Sequence, residues 1–275
     1  MLWNAVNGEI SLAGTKMHYV SFGRGKRPLI LLPGLSDALT TVKGKALLLA
    51  KPYTLFFDRY TVYMFSRKED LPLGYTIRDM ANDQAEAIKM LKIDRACIMG
   101  VSQGGMIAQY LAADHPELVD KLILAVTAPS SNDKIRSSVI KWIACAKQGN
   151  HKELMIDTAE KSYSPSYLEK YRKLYPVIGA VGKASSYDRF IVNANAILEF
   201  DAVNELGRIT CPTLIIGGEE DRIVGVQASY DMNSRIAGSK LYIYSGLGHA
   251  AYEEAEDFNE RVLEFLEDNQ AEMIR

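Results

Sequence analysis

Cysteine, histidine and long apolar runs are all scarce in this chain of 275 residues, and each scarcity excludes a class of function. Cys97, Cys145 and Cys211 are odd in number and lack metal-ligand spacing, so unpaired thiols buried as small apolar residues are expected, with no metal and no cofactor. No segment reaches the roughly 18 apolar residues of a membrane span. The opening Met1-Leu2-Trp3-Asn4-Ala5 has no basic stretch followed by an apolar one. A cytoplasmic location without a membrane partner is the expectation. Neither sign of charge dominates, with 32 Lys and Arg against 34 Asp and Glu. Without a basic run there is no electrostatic footprint for nucleic acid. Repeats are absent too, and a composition that is 48% hydrophobic and 24% charged is that of an ordinary globular protein. The oligomeric state leaves no trace in the pattern.

What is present alternates. Ile10 to Leu12 and Met17 to Phe22, separated by Ala13-Gly14-Thr15-Lys16, read as an edge hairpin. Pro28 to Pro33 is an apolar run bounded by prolines, as expected of a strand buried on both faces. A helical stretch over Val42 to Ala50 and a strand over Thr61 to Phe65 follow. Thr76 then caps a helix whose residues Ile77, Met80, Gln84, Ala87, Ile88 and Leu91 share a face. Further strands fall at Arg95 to Met99, Leu122 to Val126, Pro212 to Gly217 and Leu241 to Tyr244, with helices over Val226 to Ile236 and Glu253 to Leu266. Strands alternating with helices imply a doubly wound, mostly parallel α/β sheet with ligands beyond the carboxyl ends of its strands. The alternation stops between Pro129 and Gly207, so the expected organisation is a core of residues 1–129 and 209–275 with a helical cap inserted at 130–208. Within the cap, Tyr163, Tyr167, Tyr171 and Tyr175 recur every four residues. On one helix they would form a slowly rotating ridge able to line an apolar pocket, for which Tyr171 and Phe200 are the candidate residues.

The chemistry gathers at the strand ends. Gly100-Val101-Ser102-Gln103-Gly104 lies between a strand and an apolar helix, the context of a nucleophile turn. Gly100 and Gly104 leave room for so sharp a turn, and the Ser102 hydroxyl would stand clear of the sheet. A serine that merely capped the helix would need nothing else nearby. A nucleophilic serine needs a base and an acid to orient it. Of four histidines, His18, His115 and His151 have surface or capping explanations, whereas His249 follows Gly246-Leu247-Gly248 after the last strand. Asp221, in Gly217-Gly218-Glu219-Glu220-Asp221, follows the restarted strand at the same edge. The chain order of Ser102, Asp221 and His249 is that of an α/β-hydrolase triad. Two backbone N–H groups are expected to form the oxyanion hole, those of Gln103 and Leu35, with Gly34 allowing close approach.

Taken together, Pro33-Gly34-Leu35, Gly100-Val101-Ser102-Gln103-Gly104-Gly105, Gly218-Glu219-Glu220-Asp221-Arg222-Ile223-Val224 and Gly248-His249 resemble the oxyanion, nucleophile, acid and base signatures of the α/β-hydrolase superfamily. Many relatives have His-Gly in place of Pro33-Gly34 and a methionine in place of Gln103, and Ser66 to Leu73 lacks the glycine-rich Asp-x-Arg-Gly turn common there. The resemblance implies a serine hydrolase acting on a small apolar or amphipathic carboxylic ester, thioester or lactone through an acyl-serine. A carbon-carbon bond hydrolase or a cofactor-free perhydrolase of the same fold keeps the same triad, and a non-enzymatic small-ligand receptor is the alternative of another class.

Overall fold

The computed structural model describes residues 2–178 and 183–268. Met1, residues 179–182 of the expected insertion and residues 269–275 of the expected core lie outside them. Strands β1 (Val6–Leu12), β2 (Thr15–Gly23) and β3 (Arg27–Leu32) open the chain. Helix α1 (Ala46–Ala50) and strand β4 (Tyr60–Phe65) follow. Helix α1 is shorter than the expected Val42 to Ala50 and passes into a 3-10 turn at Lys51–Phe56 that carries Pro52 at its start. Next come α2 (Ile77–Met90), β5 (Ala96–Val101), α3 (Gln103–Asp114) and β6 (Val119–Ala125). Thr76 and Asp79 close a reciprocal cap on α2, each side chain bonding the other's backbone N–H.

The eight strands form one sheet in the order β1-β2-β4-β3-β5-β6, continued by β7 (Thr213–Gly218) and β8 (Lys240–Tyr244). The hairpin β1-β2 and the β2-β4 pair are antiparallel, and every other pairing is parallel. All six residues of β5 and of β7 are buried, as a parallel sheet covered on both faces requires. The pleat sends alternate side chains to opposite faces. Thus Leu29 and Leu31 of β3 join one apolar layer while Ile30 and Leu32 join the other. Burying each such side chain stabilises the fold by about 1.5 to 3 kcal/mol, which fixes the register of the central strands.

Between β6 and β7 lie helices α4 (Asp133–Lys147), α5 (His151–Ser162), α6 (Pro165–Tyr171), α7 (Tyr175–Ile178) and α8 (Asp188–Leu198). Among the described residues of this segment the only β pairing is the single bridge between Ser130 and Asp201. The tyrosine series does not ride on one helix. Tyr163 ends α5 in an extended conformation, and Ser164 caps a new helix with Pro165 at its first turn. Even so, Tyr163, Tyr167 and Tyr171 stack in sequence with ring centroids 4.5 and 4.3 Å apart. Tyr175 leaves the stack and donates its hydroxyl to Glu160.

The chain closes with α9 (Val226–Arg235), α10 (Ala251–Glu254) and α11 (Phe258–Glu267). The expected single closing helix is therefore two, interrupted where Ala255 turns extended. The apolar face of Phe258, Val262, Phe265 and Leu266 is buried. No helix among the described residues is long and apolar enough to cross a membrane.

Candidate active site

Ser102 occupies the turn between β5 and α3 with φ 53° and ψ −118°, a conformation that costs a non-glycine residue about 1 to 3 kcal/mol. Hydrogen bonds hold it there, the Met106 N–H reaching its carbonyl at 3.2 Å among them. Its N–H donates to the Ala125 carbonyl at 2.9 Å, and its carbonyl accepts from the Gly105 N–H at 2.8 Å and from the Thr127 hydroxyl at 2.7 Å. The flanking glycines are sterically required. A Cβ on Gly100 would stand 2.4 Å from the Gly104 carbonyl oxygen, and one on Gly104 would stand 1.9 Å from that of Leu32.

The three side chains expected at the carboxyl edge meet. Ser102 Oγ lies 2.9 Å from His249 Nε2, and His249 Nδ1 lies 2.8 Å from Asp221 Oδ2. Asp221 reaches this point from the turn after β7, and its other oxygen accepts from the N–H groups of Ile223 and Val224 at 2.8 and 2.9 Å. Burial by itself pushes the Asp221 carboxyl upward. The His249 ring and the two N–H donors outweigh that cost and hold it below its ordinary value. The loop carrying His249 is anchored to the inserted helices by the Ala250 N–H, which donates to the Ser162 carbonyl at 2.8 Å.

Leu35 begins a short 3-10 turn after β3, and Gln103 begins α3. As the first residues of their turns, both have backbone N–H groups without a partner inside the element. A Cβ on Gly34 would lie 3.4 Å from Ser102 Cβ and 3.9 Å from its Oγ. This is ordinary contact, so glycine there is not demanded by packing; its lack of a side chain leaves the space above the serine open.

A cavity of about 130 Å³ adjoins Ser102 and His249. The core contributes Leu35, Leu39, Ile223 and Tyr252, and the inserted helices contribute Trp142, Leu154, Met155 and Phe190. Apart from His249, the described residues lining it include no Lys, Arg, His, Asp or Glu. Tyr171 and Phe200, expected to line it, do not. Tyr171 is 42% exposed at the end of the tyrosine stack, and Phe200 is buried edge-on against Tyr110 with centroids 5.4 Å apart. A larger hollow of about 620 Å³ takes Asp188, Arg189, Ile191 and Val192 of α8, the helix that gives Phe190 to the first. The other three histidines do not line the cavity beside Ser102, and His151 is buried with its ring centroid 6.1 Å from that of Tyr187. His18 is buried against Glu69 at 2.7 Å, not on the surface, and His115 meets Asn82 at 3.0 Å.

A buried polar network beneath the turn has no counterpart in the sequence reading. Arg67, 1% exposed, follows β4 and bonds the Gly34 carbonyl and the Gln103 side chain. Asp37 accepts from the Ser66 hydroxyl at 2.6 Å, from the Arg67 N–H at 3.0 Å and from Arg189 of α8 at 2.8 Å. The signal was available, since Ser66-Arg67 sits directly after a predicted strand at the same edge as Asp221.

The sheet order, the turn after β5 and the residues after β7 and β8 define an α/β hydrolase. A family model described as "alpha/beta hydrolase fold" matches residues 28–256, and the chain belongs to that family. Among characterised relatives, 3-oxoadipate enol-lactonase 2 of Acinetobacter baylyi is 24% identical over 90% of this chain and 91% of its own length. A 2-hydroxy-6-oxononadienedioate/2-hydroxy-6-oxononatrienedioate hydrolase of Pseudomonas putida is 27% identical over 94% and 93%. An α/β hydrolase from a Medee basin deep-sea metagenome library superposes with a TM-score of 0.83 at 19% identity, covering 94% of this chain and 97% of that one. The enol-lactonase of Burkholderia xenovorans does so with a TM-score of 0.78 at 23% identity, covering 94% and 99%. The relatives support a hydrolase.

Proposed function

We propose that this hydrolase cleaves small, uncharged carboxylic esters, thioesters or lactones through an acyl-serine, with the helices between β6 and β7 acting as its cap. The observation that carries the reading is the continuous hydrogen-bonded chain from Ser102 Oγ through His249 to the Asp221 carboxylate. With Nδ1–H donated to Asp221, Nε2 is the free base facing the serine hydroxyl. His249 takes the Ser102 proton as Oγ attacks the carbonyl carbon, and passes it to the leaving oxygen or sulfur as the tetrahedral intermediate collapses. Water, deprotonated by the same nitrogen, then releases the acid. The Leu35 and Gln103 N–H groups are the donors for the oxyanion in both steps.

The lining of the cavity favours this substrate class over the dioates named for the Pseudomonas putida relative. Apart from His249, the described residues lining it offer no cationic side chain to a second carboxylate, and burying an unpaired charge costs several kcal/mol. A fluorophosphonate probe is expected to label Ser102 of the native protein and not Ser102→Ala, whose turnover of p-nitrophenyl acetate falls about a thousandfold or more. Undiminished turnover by a folded Ser102→Ala protein would rule out serine catalysis.

A further inference from the structure

We propose that Arg67 is a positioning residue that aims the Leu35 oxyanion donor, its guanidinium holding the Gly34–Leu35 peptide while the Gln103 side chain braces it from the turn that carries the second donor. This rests on the reading of Leu35 and Gln103 as the donors. In a trans peptide the C=O and N–H point in opposite directions from one rigid plane. Whatever holds the Gly34 oxygen therefore aims the Leu35 hydrogen.

Arg67 Nη1 donates to the Gly34 oxygen at 3.1 Å, and Nη2 donates to Gln103 Oε1 at 2.7 Å. The same carbonyl also accepts from the Asp37 N–H at 3.3 Å, the closing bond of the 3-10 turn. That bond is longer and neutral, whereas the guanidinium bond is charge-assisted and so roughly twice as strong. A cation on the carbonyl oxygen also polarises the peptide, making the Leu35 N–H a better donor.

The second arm explains why a glutamine follows the nucleophile. Gln103 is fully buried, accepting from Arg67 at one end of its amide and donating to the Asn193 carbonyl of α8 at 3.0 Å from the other. A methionine there would keep the backbone N–H but lose both bonds. Arg67 in turn is fixed by Asp37, whose carboxylate lies 3.5 Å from Nη1 and is shared with Arg189. Burial pushes the Arg67 guanidinium down to about 10, which leaves it protonated at neutral pH.

The test compares Arg67→Lys and Gln103→Met with the native enzyme in ester kinetics and in inhibition by two ligands. An aliphatic trifluoromethyl ketone reads the oxyanion hole: Ser102 Oγ adds to its carbonyl carbon, the proton passes to His249 and the oxygen becomes the oxyanion. The matching simple alcohol reads the pocket alone. Arg67→Lys should lower kcat about 10- to 100-fold, less than the loss of a whole donor. KM should stay within about threefold. Trifluoromethyl ketone affinity should fall in step with kcat while alcohol affinity stays unchanged. Gln103→Met, which leaves the Asp37–Arg67 pair in place, should show the same selective loss, about three- to tenfold, and it decides the matter if Arg67→Lys does not fold. Folded variants with native kcat and native ketone affinity would overturn the proposal. So would equal losses in kcat, KM and alcohol affinity that track the melting temperature. Native protein that resists fluorophosphonate at Ser102 would instead sink the hydrolase reading and this one with it; labelled native protein with unaffected variants sinks only the role of Arg67.

Discussion

Ser102 stores strain at the point where chemistry is proposed, and that strain is measurable. Its φ of 53° with ψ −118° lies where glycine is at ease and serine is not. Replacing Ser102 by glycine should therefore stabilise the fold relative to Ser102→Ala by about 1 kcal/mol, after allowing for the extra freedom glycine gains when unfolded. Urea unfolding of the two inactive variants checks this, and a glycine variant no more stable than the alanine one would show that the turn is not strained. Asp221 makes a second prediction at this scale. Its folded carboxyl is held below the ordinary 3.8, so the folded state favours the charged form. That contribution is fully present above the unfolded value and is lost as pH falls through the lowered native one. Native protein should accordingly exceed Asp221→Asn in stability by a constant margin above roughly pH 5, with the margin closing below about pH 4. Parallel urea melts from pH 3 to pH 7 measure it, and a margin that widens in acid would contradict it.

At the scale of the element, two glycines, Gly104 of the serine turn and Gly34 of the loop after β3, separate folding from chemistry. The Cβ of Gly104→Ala would meet backbone of β3, 1.9 Å from the Leu32 oxygen, so the strand and α3 must part. The expected cost is about 3 kcal/mol or more. Gly34→Ala makes only ordinary contacts, 3.4 Å from Ser102 Cβ and 3.6 Å from the Val101 oxygen, and should fold with near-native stability while losing activity, because its methyl enters the space a substrate carbonyl needs. Thermal melts alongside ester assays distinguish the two; a stable Gly104→Ala protein would contradict the packing argument. These turns were legible in the sequence because each lies directly after an apolar run, and the run reveals the strand. The tyrosine series misled for a related reason. A spacing of four implies a ridge only if the helix is continuous, and Ser164-Pro165 starts a new one after Tyr163. The place of Arg67 at the carboxyl edge is legible from the strand before it, but its contacts are not, because Asp37, Gly34, Gln103 and, through Asp37, Arg189 come from separated segments that only the folded sheet assembles.

At the scale of the whole molecule, the core carries the proposed reacting groups, and the inserted helices share with it the wall that a substrate's acyl chain would touch. Fold and strand-end residues follow from alternation and order, which one sequence carries. The wall does not, since the side chains that Trp142, Met155 and Phe190 present depend on how α4, α5 and α8 pack together. A cavity of about 130 Å³ with this lining suits a short neutral acyl group. Acetyl to butyryl esters should therefore exceed octanoyl esters in kcat/KM by tenfold or more, since a single misplaced methylene in such a pocket is worth about 1 to 3 kcal/mol. An ester with a carboxylate at the end of a butyryl-length chain should be slower than its neutral counterpart by about a hundredfold, the charge having no cation to meet there. Met155 is half-buried on α5, so Met155→Ala should widen the wall without breaking the core. Its optimum should move to longer chains, whereas labelling of Ser102 by a small fluorophosphonate, which leaves the wall untouched, should keep its native rate. An unshifted optimum in a folded Met155→Ala protein would mean that the acyl chain lies elsewhere, and faster turnover of the carboxylated ester would mean that a cation outside this lining reaches the substrate.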